Sequence, residues 1–393
     1  MKKLSIYFLF LITSTVSFGQ TVTGSVNGTN VVSTAVQFLT ITPDARHAGM
    51  GEAGAASTAD ANAMFWNPGK MSFIESRYGA SLSYTPWLPK ITNDMWLSYL
   101  NGYYTIRKGQ VVSSSIKYFD LGTFNARSAD NDNLGLYKSR EMSWDISYSR
   151  VLTKELGIGV TARYIYSNLA ANAPMAGGSV EPVNSVSADI GVYYQKVLPG
   201  VLEKRLSLGA VVSNIGPKIS YAGNSEKDFI PTNLKVGAGY SVDIDPFNTI
   251  TFLLDFNKLL VPSPPVYKLD ADGNVVVDQN GNPIIVSGQD PNVSMLSGMF
   301  GSFSDAPGGA KEEIKEFIVN TGLEYWYNNT FAGRVGLFSE SKTKGDRKYA
   351  TFGVGFKKNR FGFDVAYLAP LNGQENPLAN TLRFSLNFSV NEK

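Results

Sequence analysis

The C-terminal part of the chain alternates between apolar and polar residues. From Leu382 to Val390 every second residue is apolar, and the residues between them are Arg383, Ser385, Asn387 and Ser389. A period of two places the two sets on opposite faces of a β-strand. The same pattern recurs in residues 144–149, 250–257 and 361–367. The sequence therefore predicts strands with one apolar face, which must pack against a second sheet or face lipid while the polar face lines a lumen.

About fourteen segments carry the strand pattern. They cover residues 77–85, 95–106, 110–119, 141–151, 156–167, 185–196, 206–214, 232–242, 249–260, 318–327, 330–339, 349–357, 360–368 and 380–390. The connections include tight turns at 107–109, 153–155, 328–329 and 358–359, and long loops at 120–140, 168–184, 215–231 and 261–317. Outer-membrane barrels separate short periplasmic turns from long outer loops in this way, and a soluble sandwich has no reason to. The predicted fold is all-β, a 14-stranded antiparallel transmembrane β-barrel integral to the outer membrane, with both mature termini periplasmic.

Composition supports a barrel. Charged residues make up only 17% of the 393 residues, aromatic residues 12%, and the chain has 38 glycines. No run of about 18 apolar residues follows the N-terminus, which argues against helical membrane spans. Lys+Arg total 35 against Asp+Glu 33, so the charge balance gives no reason to expect a nucleic acid partner. Aromatic residues gather at the predicted strand ends, which is typical of interfacial girdles, although cross-strand packing is the alternative.

The N-terminus has the features of an export signal. Two lysines precede a mostly apolar stretch from Leu4 to Val16, and cleavage is expected after Gly19. The stretch is too short to span a bilayer as a helix. The alternative is an N-terminal membrane anchor. The expected organisation is a signal peptide in residues 1–19, an N-terminal extension and lumen hatch in residues 20–76, and an outer-membrane barrel in residues 77–393 with a long outer loop in residues 261–317.

The chain offers little catalytic chemistry. It has no cysteine and one histidine, His47, so thiolate metal sites and cysteine nucleophiles are excluded and a Ser/His pair is not expected. Charged residues on the polar strand faces are numerous and of both signs, which predicts a ladder of ion pairs in the lumen rather than one acid/base pair. No catalytic residue, cofactor site or metal site is predicted.

Two turns in the long loop resemble the opening of calcium loops. They begin at Asp270 and Asp278, but the twelfth position counted from Asp270 is Gly281 instead of the glutamate that such loops require. The favoured interpretation is a β-ribbon with turns at Asp272-Gly273 and Asn280-Gly281.

The segment before the first predicted strand is rich in alanine and glycine, whose small side chains permit close backbone approach. It ends in a short helical stretch followed by an Asn-Pro-Gly turn, and the candidate hatch residues are Ala61, Asn62, Phe65, Trp66, Asn67, Pro68 and Gly69. This segment resembles the hatch of the FadL family of outer-membrane transporters for hydrophobic molecules, in which an Asn-Pro-Ala motif follows an alanine-rich stretch. Gly69 replaces the alanine. The resemblance implies a barrel of FadL type with an N-terminal hatch segment.

Three further motifs, at 38–51, 60–68 and 322–327, are similar to PorV barrels, the FadL-related members of the type IX secretion system of Bacteroidetes. That resemblance covers essentially the whole mature chain. It implies a non-enzymatic secretion component that binds a giant outer-membrane translocon barrel, accepts cargo proteins with a C-terminal sorting domain and passes them to the surface attachment machinery. Outer-membrane lipid is a further expected partner. The alternative functions are a FadL-like passive transporter of hydrophobic small molecules and, third, a surface enzyme.

The loop 261–317 is the longest connection, and loops of this length are usually functional. Its candidate partner-binding residues are apolar: Met295, Leu296, Met299, Phe300 and Phe303. Exposed Met and Phe make adaptable contacts. A short helix is predicted at 310–317. The alternative is a lid that packs over the lumen mouth. The basic turn 341–348 is interpreted as a solvated loop.

Overall fold

The computed structural model of the chain describes residues 22–23, 30–88, 92, 94–127, 133–169, 174–175, 178–221, 227–371 and 381–391. The predicted signal peptide lies outside the described residues. No helix in the described part of the chain is long and apolar enough to cross a membrane.

Fourteen antiparallel strands form one closed barrel, with β1 paired to β14. In chain order, β1 to β14 are Tyr78–Pro86, Trp96–Arg107, Gln110–Arg127, Asn133–Val151, Leu156–Asn168, Val183–Leu198, Lys204–Ile215, Asn233–Asp245, Asn248–Leu259, Ile318–Tyr327, Phe331–Ser339, Lys348–Lys358, Phe361–Pro370 and Leu382–Val390. The barrel confirms the predicted fold class and strand number. A closed sheet leaves no unpaired strand edge, which is what a hydrocarbon environment requires.

The alternation that predicted the strands separates the two faces of the barrel wall. On β14, Leu382 and Leu386 are 45% and 51% exposed on the outer face, whereas Arg383 and Ser385 are 4% and 1% exposed and point into the lumen. Apolar residues outside and polar residues inside are the arrangement expected of a membrane barrel.

One predicted loop is largely strand. Residues 120–140 were expected to form a long connection, but the β3–β4 ladder continues through a register shift between Asp120 and Thr123 and pairs Thr123 with Lys138. The irregular step breaks the alternation of side chains at this point, and that is why the sequence pattern stops early.

Shorter elements lie outside the barrel wall. They are the helices α1 (Ala45–Ala48), α2 (Ala63–Trp66), α3 (Met295–Gly301) and α4 (Ala310–Lys315), the 3-10 helices Gln37–Thr40 and Pro68–Phe73, and the short strands Val22–Thr23, Pro174–Met175, Gly178–Ser179, Val266–Lys268 and Ile285–Ser287.

The described chain begins and ends at opposite mouths of the barrel. We call the mouth with the tight turns the short-turn end and the other the long-loop end. The strand Val22–Thr23 pairs with the loop 261–317, and the Asn30 amide donates to the carbonyl of Thr343, both at the long-loop end. Arg77 donates to the carbonyl of Val390 at the short-turn end. The described residues near the N-terminus therefore lie at the mouth opposite Val390, because the segment before β1 passes through the lumen. The side of the membrane on which the mature termini lie stays a prediction.

Candidate functional site: hatch, lumen cavity and outer loop

Residues 30–76, here called the hatch, fill the lumen and touch the wall through glycines. At Gly209 an added Cβ would lie 2.0 Å from the carbonyl oxygen of Ala55, and at Gly336 it would lie 2.1 Å from the amide nitrogen of Gly51. Gly159 and Gly322 also approach the hatch backbone closely, and Gly191 approaches the side chains of Asn67 and Pro68. Only a residue without a side chain permits this approach, so the hatch backbone and a belt of wall glycines fit each other directly.

The predicted Asn-Pro-Gly turn lies at the centre of this contact. Asn67 is fully buried; its Nδ2 donates to the carbonyls of Ala55 at 3.1 Å and Val192 at 2.9 Å, and its Oδ1 accepts from the Gly69 amide at 3.0 Å. The side chain therefore joins two turns of the hatch to the wall. A Cβ at Gly69 would meet the Gly191 carbonyl oxygen at 2.9 Å, a tight approach that glycine relieves.

The other predicted hatch residues also lie in the lumen. Asn62 is 1% exposed and accepts a 3.1 Å hydrogen bond from Nδ2 of Asn101 on the wall. Trp66 is 1% exposed, and its indole donates to Asp44 at 2.7 Å. Ala61, Pro68 and Gly69 are buried and Phe65 is half-buried. The structure thus brings all seven together, and their functional assignment is a proposal made below.

A hydrogen-bonded line of polar side chains crosses the hatch and was not predicted. His47 Nδ1 lies 2.8 Å from Asp44 Oδ2, and His47 Nε2 lies 2.8 Å from Ser57 Oγ. Lys70 donates to Ser57 Oγ at 2.8 Å and to the Gly54 carbonyl at 2.6 Å. The expectation that the chain has no Ser/His pair is therefore wrong. The residues are separated along an irregular segment, so no periodic signal joins them.

This line is structural rather than catalytic in its geometry. Asp44, His47 and Lys70 are 0% exposed and Ser57 is 1% exposed, so a substrate cannot reach the serine oxygen. Burial lowers the pKa of Lys70 to about 7. Burial opposes ionisation of Asp44, but its contacts with His47 and Trp66 hold the pKa of this carboxyl well below its usual range. Each polar atom of the line meets a partner, which is the condition for stable burial.

Ion pairs bind the hatch to the wall. Glu324 on β10 accepts from Arg46 of the hatch at 2.8 and 3.0 Å and from Arg334 on β11 at 2.7 Å, and Arg334 continues to Asp364 at 2.7 Å. Arg46 also pairs with Asp60 at 2.9 Å. A second group on the wall joins Arg163 to Asp145 and Asp189. These pairs confirm the predicted lumen ladder.

A cavity of about 440 Å³ lies between the hatch and the loops of the long-loop end. Leu39, Phe65 and Trp66 of the hatch contribute apolar surface, and Arg163, Lys235 and Arg347 contribute positive charge. The Lys235 ammonium lies 4.2 Å from the centre of the Trp66 ring. The lumen therefore contains a mixed apolar and charged chamber above the hatch.

The outer loop 261–317 is folded and fixed to the barrel. Lys258 at the end of β9 pairs with Glu313 at 3.1 Å and with Glu316, and Lys344 pairs with Glu316 at 2.8 Å. Ser263 donates to Glu316. This cluster holds α4 on the rim of the barrel, as the sequence predicted for a helix there.

Part of the loop is a β-ribbon, as the sequence indicated, because Leu269 pairs with Val275 and Val277 pairs with Pro283 in antiparallel bridges. Asp270 accepts from the Asn274 amide at 2.8 Å and Asp278 accepts from the Asn282 amide at 2.9 Å. Backbone N–H groups thus occupy the oxygens that a calcium loop would direct at an ion.

The predicted partner-binding residues lie on and beside α3. Leu296, Phe300 and Phe303 are 54%, 70% and 46% exposed, whereas Met295 and Met299 are half-buried. Ile314 on α4 is 71% exposed. These four exposed side chains, here called the apolar patch, carry large apolar surface on an otherwise anchored loop.

Solved structures with the same barrel architecture show the structural class of this protein. A monoaromatic hydrocarbon channel, the TodX deltaS2S3 mutant, aligns with a TM-score of 0.52 and 12% identity over 89% of this chain and 99% of that chain. The P. putida toluene transporter TodX aligns with a TM-score of 0.50 and 10% identity over 90% of this chain and 100% of that chain. At these identities the likeness shows the fold. The molecule is an integral outer-membrane barrel of FadL type.

The sequence comparison identifies the family. The family described as type IX secretion system protein PorV matches residues 25–266, which is more than half of the chain. The chain belongs to the PorV family and is a component of the type IX secretion system. No curated protein matched the sequence.

Proposed function

We propose that this protein binds the giant translocon barrel of the type IX system and receives cargo through the cargo's C-terminal sorting domain. The apolar patch carries this proposal: Leu296, Phe300, Phe303 and Ile314 are between 46% and 71% exposed. Large exposed apolar side chains on an anchored loop are typical of protein interaction sites. Cargo then passes to the surface attachment machinery. We propose no enzymatic step, because Ser57 is enclosed in the hatch.

The way the hatch is held in the lumen supports a role for the protein as a secretion adaptor rather than as a channel. It contacts the wall through glycines on several strands and through the buried Arg46–Glu324 pair. Removing it would leave Glu324 and Arg334 in the lumen without Arg46, which is costly for buried ions. In the proposed division of the chain, residues 20–76 form the N-terminal extension and the lumen hatch, residues 77–393 form the outer-membrane barrel, and the loop 261–317 within it meets the partners.

The apolar patch is tested by replacing Leu296, Phe300 and Phe303 together with serine in the full chain. Because a few buried apolar anchors dominate binding energy at interfaces, we expect recovery of the translocon barrel and of cargo with the tagged protein to fall about tenfold or more. The measurement is affinity purification from mild-detergent extracts of the native outer membrane, with quantitative mass spectrometry and assay of secreted cargo.

The matched control replaces Val201 and Phe247 with serine. These residues are 105% and 58% exposed in short turns at the opposite mouth, so this variant should retain both partners. Normal recovery and secretion with the triple variant would contradict the assignment of the patch.

A second function is favoured by the lumen cavity. Its size and its apolar hatch residues suit a small hydrophobic molecule with a polar end. If the protein is a passive transporter, it should copurify with a lipophile from its native membrane. In that case Asn67→Ala, which removes three hydrogen bonds that hold the hatch, should change uptake of that compound while protein secretion continues. Loss of secretion with unchanged uptake would contradict the transporter.

A further inference from the structure

A groove on the outside of the barrel lies at the boundary between apolar and polar wall. Facing outward along β6 toward the long-loop end are Ile190, Ala188 and Val186, and the next outward residue is Asn184. Val186 is 61% exposed and Ile190 is 50% exposed. Along β6 the outward apolar residues therefore end at Val186, and on this strand we place the level of lipid headgroups there.

The connection between β7 and β8 forms the other side of this groove. Its two limbs pair through Ile219 and Asp228, with N–H···O distances of 2.9 and 2.7 Å. The groove between this hairpin and the wall is lined by Pro217, Lys218 and Lys227 on one side and by Tyr164, Asn184 and Val186 on the other. Its floor is thus apolar and its upper edge is polar.

Both charged residues in the lining are lysines. The Lys218 ammonium lies 4.5 Å from the centre of the Phe229 ring, which is outside the lining, and Lys227 is exposed. No carboxylate belongs to the described lining; Asp228 follows Lys227 in sequence but does not line the groove. Positive charge above an apolar floor is complementary to an anionic headgroup above an acyl chain.

We propose that this groove binds a phosphate-bearing anionic lipid of the surrounding leaflet. Lys218 and Lys227 would hold the phosphate, and an acyl chain would lie along Val186 and Tyr164. The membrane supplies this occupant, because the groove continues the lipid-facing band of the wall. This inference does not depend on the cargo assignment.

The test is native mass spectrometry of the full chain in dodecyl maltoside, titrated with dioleoylphosphatidylglycerol. Dioleoylphosphatidylcholine, which has the same chains and no net charge, is the comparison lipid. Since a lysine near an anionic membrane surface contributes roughly a fivefold factor in affinity, the double variant K218Q/K227Q should bind phosphatidylglycerol about tenfold or more weakly. Its binding of phosphatidylcholine should not change.

The matched control is K357Q/K358Q, which removes two adjacent exposed lysines at the short-turn end of β12 and should bind as the native protein does. If the K218Q/K227Q protein does not insert, the exposed Lys227→Glu variant is measured instead and should also lose binding. The proposed site would be overturned if K218Q/K227Q and K357Q/K358Q lost phosphatidylglycerol binding equally, or if K218Q/K227Q lost none. Displacement of the lipid by millimolar sn-glycerol 3-phosphate would show a site for free phosphate and overturn the lipid assignment.

Discussion

Replacing Gly209 with valine is expected to displace the hatch and open the lumen to ions. The new Cβ would lie 2.0 Å from the Ala55 carbonyl oxygen, which belongs to the hatch backbone and cannot move without shifting Asn67, a hydrogen-bond donor to the same oxygen. Overpacking a filled interior costs about 1–3 kcal/mol. Valine itself suits a strand, so the strain is relieved most easily by moving the hatch. Conductance across a planar bilayer should rise well above that of the native protein.

Gly333→Val is the matched control. Gly333 lies on β11 facing outward, and an added Cβ there meets nothing within 4 Å. This variant should insert normally and keep the native conductance. An unchanged conductance for Gly209→Val, with the barrel shown to be folded by its heat-modifiable mobility on gels, would mean that the hatch does not seal the lumen.

The wall of the barrel could be predicted from sequence because its rule is local. A strand with lipid on one side and a polar lumen on the other must alternate apolar and polar residues. The sequence alone therefore predicts that Leu382 faces lipid and Arg383 faces the lumen. The rule fails where the ladder shifts register, as at Asp120 to Thr123. Beyond that shift, counting every second residue no longer shows which face of the barrel wall a side chain occupies.

The hatch could be predicted only in part. The Asn67-Pro68-Gly69 turn is a local signal, and its residues do lie in the lumen. The glycines that receive the hatch, such as Gly209 and Gly336, resemble any other strand glycine in the sequence. Their purpose depends on which backbone lies opposite, and that is fixed by the path of the hatch through the closed barrel.

That path also explains the position of the described residues nearest the N-terminus. Counting strands locates the start of β1 and the end of β14, and both do lie at the short-turn end. It gives no information about a segment that precedes β1, and Asn30 contacts Thr343 at the other mouth. The same path places Arg46 beside Glu324, 278 positions away in the chain.

Replacing Glu324 with glutamine is expected to destabilise the protein strongly. Glu324 is 2% exposed and faces two guanidinium groups, those of Arg46 and Arg334. The amide nearly preserves the shape of the side chain but leaves two buried cations sharing only Asp60 and Asp364. Breaking a buried ion pair by removing one partner costs about 3–5 kcal/mol. Urea unfolding in lipid vesicles, followed by tryptophan fluorescence, should show a free energy of unfolding lower by this amount.

Glu203→Gln provides the comparison, because Glu203 pairs with Arg205 at the surface, where its side chain is 47% exposed. Surface pairs contribute about 0–1 kcal/mol, so this variant should unfold almost as the native protein does. A loss that decreases steeply with added salt would indicate that water reaches Glu324. Equal stability of the two variants would mean that the Arg46–Glu324–Arg334 group does not hold the hatch, and the seal would then depend on the glycine contacts and on the hydrogen bonds of Asn62 and Asn67 to the wall.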